Sequence, residues 1–191
     1  SSPWPCYGFS LLLFSKFFSY LASALLHLFP YNTVAAATEA LKFDLIAISV
    51  SIGFTVLPFT LTSEEAKASF TVSFLSILLQ LICVQWQFRG HVGLDTPAHS
   101  SELPRNGIMV LQWLDTSYRV GKATSYSTSW CFACITYIMS FALAGPVTAS
   151  HHEEPVHFPW HKRGVWSLHE DFHLMLLAAD FEMVAMAAKF V

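Results

Sequence analysis

Two histidines near the end of the chain have a spacing that presents two ligands to one metal ion. His169 and His173 are four residues apart, so on a helix their side chains lie on one face, one turn apart. Two imidazoles at this spacing can form half of a zinc site, although packed or interfacial histidines show the same spacing. Zinc chemistry requires a third protein ligand, which must come from elsewhere in the chain.

His27 is the remaining histidine that falls inside an apolar segment, and Ser23 lies four residues before it on the same helical face. Three histidines leave the fourth zinc position to a water, whose pKa zinc lowers to about 7. Asp44, near the start of the next apolar segment, is then available to orient or deprotonate that water. We therefore predict a zinc site that contains His27, His169 and His173, with Asp44 as its acid–base group.

The composition indicates an integral membrane protein. Of the 191 residues, 54% are hydrophobic and only 12% are charged, whereas a soluble domain carries about 25% charged residues. This composition excludes a disordered chain and argues against a water-soluble enzyme. The net charge of −3 shows no basic excess, so nucleic acid is not an expected partner. Four cysteines are too few for a disulfide scaffold.

Six segments have, or approach, the roughly 20 apolar residues that a membrane span needs. Five are clear from their composition: 7–29, 40–61, 66–88, 129–149 and 165–190. The sixth, 105–124, contains Asp115 and Arg119, which are four residues apart and can pair on one helical face. It either crosses the membrane or lies at the lipid boundary as an interfacial helix. The pattern predicts an all-α, multi-pass membrane bundle of about six transmembrane helices, in a single domain over 1–191.

The number of crossings decides whether the candidate site residues meet. His27 ends the first span and Asp44 begins the second, so both are expected near one membrane face. If 105–124 crosses the membrane, the last span begins at that same face and brings His169 and His173 to the same depth. If it does not cross, the two histidines lie about 30 Å away, at the opposite face. The four residues converge only in a six-span protein.

The motifs around these residues resemble the progestin and adiponectin receptor family, which includes the bacterial haemolysin III-like proteins. The family pattern is Ser-x-x-x-His at a helix end, an Asp at the next helix start and His-x-x-x-His at the start of the last helix. Here the matching segments are Ser-Ala-Leu-Leu-His at 23–27, Leu-Lys-Phe-Asp ending at Asp44, and His-Glu-Asp-Phe-His at 169–173. The resemblance covers roughly residues 20–60 and 158–180.

The resemblance implies a seven-helix fold in which the first span of this chain corresponds to the family's second helix, so that the first helix is lacking. It also implies a buried zinc ion, Asp44 near its water, Ser23 assisting by hydrogen bonding, and hydrolysis of lipid amides such as ceramide. The chain departs from the family at Asp180 and Glu182, which fall where the family is apolar. Asp180 is expected either to line a polar cavity beneath the metal or to pair with a neighbouring helix.

Two functions of different class are consistent with these features. The first is a zinc-dependent hydrolase of a lipid amide or ester, or a receptor, that works within the bilayer among membrane lipids. The second is a non-catalytic structural subunit of a multi-subunit membrane complex, such as one of an organelle, which retains the fold and a relic of the site. The histidine and aspartate motifs favour the first function. The lacking helix and the two additional acids favour the second.

Overall fold

The computed structural model describes residues 3–29, 32–60, 62–88, 102–147, 159 and 168–191. In these ranges the chain forms six α-helices, and no strand occurs among them. The helices are α1 (Trp4–Leu28), α2 (Val34–Phe54), α3 (Ser63–Gln87), α4 (Glu102–Ala123), α5 (Thr128–Val147) and α6 (Leu168–Ala187). Two 3-10 turns, Leu57–Phe59 and Ala188–Phe190, follow α2 and α6. The all-α prediction is confirmed for the described part of the chain.

The chain divides into two compact units. The first comprises residues 1–123 with 190–191 and contains α1 to α4, and the second comprises residues 124–189 and contains α5 and α6. The prediction of a single transmembrane domain over 1–191 stays a prediction.

Three segments are long and apolar enough to cross a membrane, within the residues described: Trp4–Leu26, Ala35–Phe59 and Ser63–Gln87. A shorter apolar stretch, Thr128–Ala142, lies in α5. Helices are also present where spans were predicted at 105–124 and 165–190, although acidic and basic residues punctuate both. Six helices and three candidate spans are therefore established, and about six crossings stays a prediction.

Local capping signals start the first helices earlier than the apolar pattern predicts. Pro5 stands in the first turn of α1, where its missing N–H is not needed. Thr33 caps α2, since its side-chain oxygen accepts a hydrogen bond of 3.2 Å from the Ala36 N–H. Helix α2 consequently begins at Val34 rather than at residue 40, and Asp44 falls in its middle.

Helix α1 packs against the 3-10 turn at Leu57–Phe59 through a position that only glycine can occupy. A Cβ atom on Gly8 would lie 2.5 Å from the backbone carbon of Leu57 and 2.6 Å from the nitrogen of Pro58. The backbones of α1 and the turn therefore approach more closely than any side chain allows. Phe18 of α1 and Phe43 of α2 make an edge-to-face contact further along, with ring centroids 5.0 Å apart.

Helix α3 has the reverse of the polarity found in a water-soluble helix. Its buried positions are small or polar with the exception of Val84, and they recur at helical spacing: Ala66, Ser69, Ser73, Gln80, Val84 and Gln87. Its exposed positions carry large apolar side chains, among them Phe70, Phe74, Leu75, Leu78 and Ile82. Small and polar side chains between helices, with apolar side chains outward, are typical of helices that face lipid.

Side-chain hydrogen bonds join α2, α3 and α4 across this polar face. Ser49 donates to Oε1 of Gln112 at 2.9 Å, and Nε2 of Gln112 donates to the Ser49 carbonyl at 3.0 Å. Ser73 donates to the Gly53 carbonyl at 2.6 Å. Nε2 of Gln80 donates to the Arg105 carbonyl at 2.9 Å. These contacts bury several polar groups of the first unit in hydrogen-bonded pairs between neighbouring helices.

Helices α5 and α6 of the second unit pack through small residues around one polar pair. Ala133 and Ser140 of α5 and Ala179 of α6 are fully buried. Between them the Tyr137 hydroxyl donates a hydrogen bond to Oδ1 of Asp180. The small side chains allow the two helices to approach, and the hydrogen bond gives the buried Asp180 carboxylate a donor from α5.

Candidate functional site

Asp44 is the candidate site residue whose surroundings the structure describes most fully. Its side chain is buried in the middle of α2, with a relative exposure of 8%. Its Oδ1 atom has no hydrogen-bond partner among the described residues. A buried carboxylate oxygen without a partner is costly, so it is retained where a ligand, a water or the reaction uses it.

Two contacts between α1 and the α2 region show which part of α1 lies opposite Asp44. Gly8 of α1 meets Leu57, and Phe18 meets Phe43, so the two helices run antiparallel and Asp44 lies opposite the region of Phe18. Ser23 and His27 lie five and nine residues further along α1. At 1.5 Å per residue, they stand about 8 Å and about 14 Å beyond the Phe18 level.

The expectation that Asp44 and His27 share one depth is therefore not met by the register of α1 and α2. The physical reason is the early start of α2, because the cap at Thr33 adds six residues ahead of the predicted boundary. Ser23 is half-buried in α1. His27 lies one residue before the last residue of α1, and its side chain is outside the described part of the structure.

His169 and His173 both lie at the start of α6, on a helix as their spacing requires. His173 is half-buried, and its ring centroid is 5.1 Å from that of Phe172. The side chain of His169, like that of His27, is outside the described residues. Among the side chains that are described, no group of three His, Cys, Asp or Glu is close enough to hold a metal ion. Convergence of the three histidines stays a prediction.

The structure decides between the two alternatives for Asp180. Its carboxylate accepts the hydrogen bond of Tyr137 from the neighbouring helix, and the residue is 9% exposed. Asp180 therefore pairs with α5. The contact with α5 explains why a carboxylate is present in the apolar helix α6.

The polar face shared by α3 and α4 is a feature that the motif analysis did not identify. A cavity of about 220 Å³ lies on it, with a polar side formed by Ser73, Ser76, Gln112, Asp115 and Thr116. Its sequence signal is the recurrence of small and polar residues along α3 at positions 66, 69, 73, 80 and 87. A helical wheel of α3 that marks the polar residues, and not the apolar ones, shows this recurrence on one face.

Neither a protein family, nor a characterised protein, nor a solved structure matches this chain. The class that the described residues define is a helical protein with three apolar helices that join through small and polar contacts. Membership of the progestin and adiponectin receptor family stays a prediction, carried by the motifs at 23–27, Asp44 and 169–173.

Proposed function

We propose that this chain is a multi-pass membrane protein related to the progestin and adiponectin receptor and haemolysin III-like proteins, and that it hydrolyses an amide or ester bond of a membrane lipid. Three apolar helices and the outward-facing apolar residues of α3 support the membrane location. The serine, histidine and aspartate motifs support the family and the reaction.

The observation that carries the proposal is the buried, unpartnered carboxylate oxygen of Asp44. Hydrogen bonds to neighbouring helices account for the buried polar side chains of Gln112 and Asp180. Because Asp44 Oδ1 has no such bond within the described residues, packing does not explain its retention in α2. A carboxylate kept at this position fits a group that accepts a proton from, or orients, a reacting water.

The donor set of the proposed site fits zinc, since neutral imidazoles are ligands that zinc prefers and three of them leave one position open. His27, His169 and His173 would hold the ion. Bound zinc supplies Lewis acidity toward a lipid carbonyl. Asp44 would accept the proton of the attacking water through a relay across the two levels, and Ser23 would assist by hydrogen bonding. The offset of about 14 Å along α1 requires that water or polar substrate atoms bridge these two levels.

Metal analysis of the purified protein tests the site directly. We expect about one zinc per chain in the wild-type protein and at least a tenfold weaker retention in His173→Ala, because loss of one of three ligands removes a major part of the affinity. His99→Ala is the matched control, since His99 lies outside the proposed ligand set, and it should retain the metal. A wild-type protein without zinc, or equal zinc in His173→Ala, contradicts the assignment.

The second candidate function is a structural subunit of a membrane complex, and two observations favour it. Asp180 serves the packing of α5 against α6, and the register separates Asp44 from His27. Apolar side chains such as Phe17 and Phe74 are exposed on α1 and α3, where either lipid or a partner helix can cover them. Purification from native membranes in a mild detergent separates the two functions. A particle of this chain alone supports the hydrolase, and constant co-purification with several other subunits supports the structural role.

A further inference from the structure

The cavity between α3 and α4 has the features of a binding site that is separate from the proposed zinc site. Its volume of about 220 Å³ exceeds the roughly 150 Å³ of a cavity that holds benzene. It can therefore admit a ring or a glycerol-sized group. Its polar side is formed by α4 residues and two serines of α3, and its apolar side includes Val72, Leu79 and Leu111.

Most polar groups in the cavity are already engaged in helix packing. Ser73 donates to the Gly53 carbonyl, Gln112 exchanges two hydrogen bonds with Ser49, and Thr116 donates to the Ile52 carbonyl at 3.4 Å. The Ser76 hydroxyl lines the cavity and makes no hydrogen bond with any of the residues described. It is therefore available both to donate to a ligand and to accept from one.

The charge in the cavity is compensated, which selects an uncharged ligand. Asp115 lines the cavity, and its Oδ2 lies 2.9 Å from Nε of Arg119 on the next turn of α4. The carboxylate keeps lone pairs that can accept a further hydrogen bond, but the ion pair leaves no net charge to attract a cation or an anion. A ligand hydroxyl suits Asp115 and Ser76 together, because it can donate to the carboxylate and accept from the serine.

The mouth of the cavity opens on an apolar surface. Val72 is 39% exposed, and Leu111 is 67% exposed. A ligand that reaches Ser76 past these side chains comes from the lipid phase, and the greater part of it remains among lipid chains.

We propose that this cavity binds the hydroxyl-bearing end of an uncharged membrane lipid. The ligand hydroxyl donates to Asp115 and accepts from Ser76, and the adjoining carbon atoms contact Leu79 and Leu111. Two kinds of lipid carry this chemistry, namely sterols and diacylglycerols. The inference rests on the membrane location proposed above and is independent of the zinc site.

Photolabelling of the intact protein in phosphatidylcholine nanodiscs tests the inference. The probes are a photoreactive sterol and a photoreactive diacylglycerol, each used with its free hydroxyl and with the hydroxyl acetylated. We expect one free-hydroxyl probe to label peptides that contain residues 72–79 or 108–116, and acetylation to reduce this labelling about five- to tenfold, the effect of losing one buried hydrogen bond. The probe that labels identifies the sterol or the diacylglycerol as the ligand class.

Variants of Ser76 distinguish labelling in the cavity from non-specific labelling of the lipid-facing surface. Ser76→Leu fills the cavity and should abolish the acetylation-sensitive labelling, and Ser76→Ala should weaken it about fivefold. Thr71→Leu is the matched control, since Thr71 is exposed on α3 and does not line the cavity. Equal labelling by free and acetylated probes, unchanged labelling in Ser76→Leu, or labelling by neither lipid overturns the inference. Ser76→Ala keeps the test decisive if Ser76→Leu fails to fold. Zinc content is measured in the same samples, and its presence or absence does not affect this result.

Discussion

The two compact units each bury an aspartate in an apolar helix, and they treat it in opposite ways. In the second unit Asp180 accepts a hydrogen bond from Tyr137 of the neighbouring helix. In the first unit Asp44 is equally buried, with exposures of 8% and 9% for the two residues, but its Oδ1 has no partner among the described residues. The two carboxylates therefore differ in their hydrogen bonding and not in their burial, and the role proposed for Asp44 rests on that difference.

The two units also differ in how their buried polar contacts are distributed. The first unit spreads its buried polar contacts over three helices, through neutral pairs such as Ser49 with Gln112 and Ser73 with the Gly53 carbonyl. In the second unit, among the described residues, an ionisable side chain takes part in the contact of Tyr137 with Asp180. In the first unit, removal of one donor leaves the other hydrogen bonds in place, whereas in the second unit removal of Tyr137 or Asp180 breaks their contact itself.

The largest effect is expected from Tyr137→Phe. This change removes one hydroxyl and leaves the Asp180 carboxylate buried without that donor, which costs about 2–3 kcal/mol of unfolding free energy. Reversible denaturant or sodium dodecyl sulfate titration in mild detergent, monitored by circular dichroism, measures the loss. Tyr126→Phe is the matched control, because Tyr126 is 51% exposed, and it should change the free energy by less than about 0.5 kcal/mol. A Tyr137→Phe protein as stable as the wild type contradicts the structural role of the pair.

A backbone contact gives the next largest effect and belongs to the first unit. Gly8→Ala places a Cβ atom 2.5 Å from the Leu57 backbone, so α1 and the 3-10 turn must separate, at a cost of about 1–3 kcal/mol. Gly107→Ala in α4 is the control, since its Cβ meets no atom within 4 Å. That control should stabilise its helix by about 0.5–1 kcal/mol, because alanine is the better helix former. Equal behaviour of the two variants in the same titration excludes the close approach at Gly8.

The contrast between the two aspartates is tested by Asp44→Asn. Removal of an unpartnered buried carboxylate should stabilise the first unit by about 1–2 kcal/mol, while any hydrolytic activity is lost. Asp180→Leu should do the opposite and destabilise, because the Tyr137 hydroxyl then loses its acceptor. Both variants are compared with the wild type by unfolding titration and by turnover of an amide or ester lipid. If Asp44→Asn destabilises as Asp180→Leu does, Asp44 has a packing partner and its functional assignment is wrong.

The helices were predictable from the sequence because apolar runs of span length dominate it, and a helix is present at each predicted segment. Their beginnings were less predictable, since the caps at Thr33 and Thr62 are polar residues that an apolar pattern does not include. This matters at Asp44, because six additional residues at the start of α2 shift it by nearly two turns relative to α1. Depth along a helix depends on where the cap lies, and motif spacing in the sequence does not contain that information.

For the candidate site, the structure bears on the helical placement of its residues, and their assignment to one site stays a prediction. The four-residue spacing of His169 and His173 and of Ser23 and His27 placed each pair on a helix, and both pairs are found in helices. The partner of Asp180 could not be predicted, because it depends on which face of α5 meets α6 and on the small residues that permit the contact. The cavity at Ser76 was missed for a related reason, since its polar residues mark it only after α3 is known to pack polar face inward.

The smallest effect is expected from Ser49→Ala, and it tests the distributed network most directly. The change removes the hydroxyl that donates to Gln112 but keeps the Ser49 carbonyl, which still accepts from Nε2 of Gln112. Single hydrogen bonds between membrane helices contribute about 0.6 kcal/mol on average, so a loss of about that size is expected in the unfolding titration. Ser10→Ala, which removes an exposed hydroxyl bonded to the Cys6 carbonyl of its own helix, is the control and should show no measurable loss. A loss for Ser49→Ala as large as that for Tyr137→Phe would mean that the first unit also depends on one dominant polar pair, and the contrast between the two units would fail.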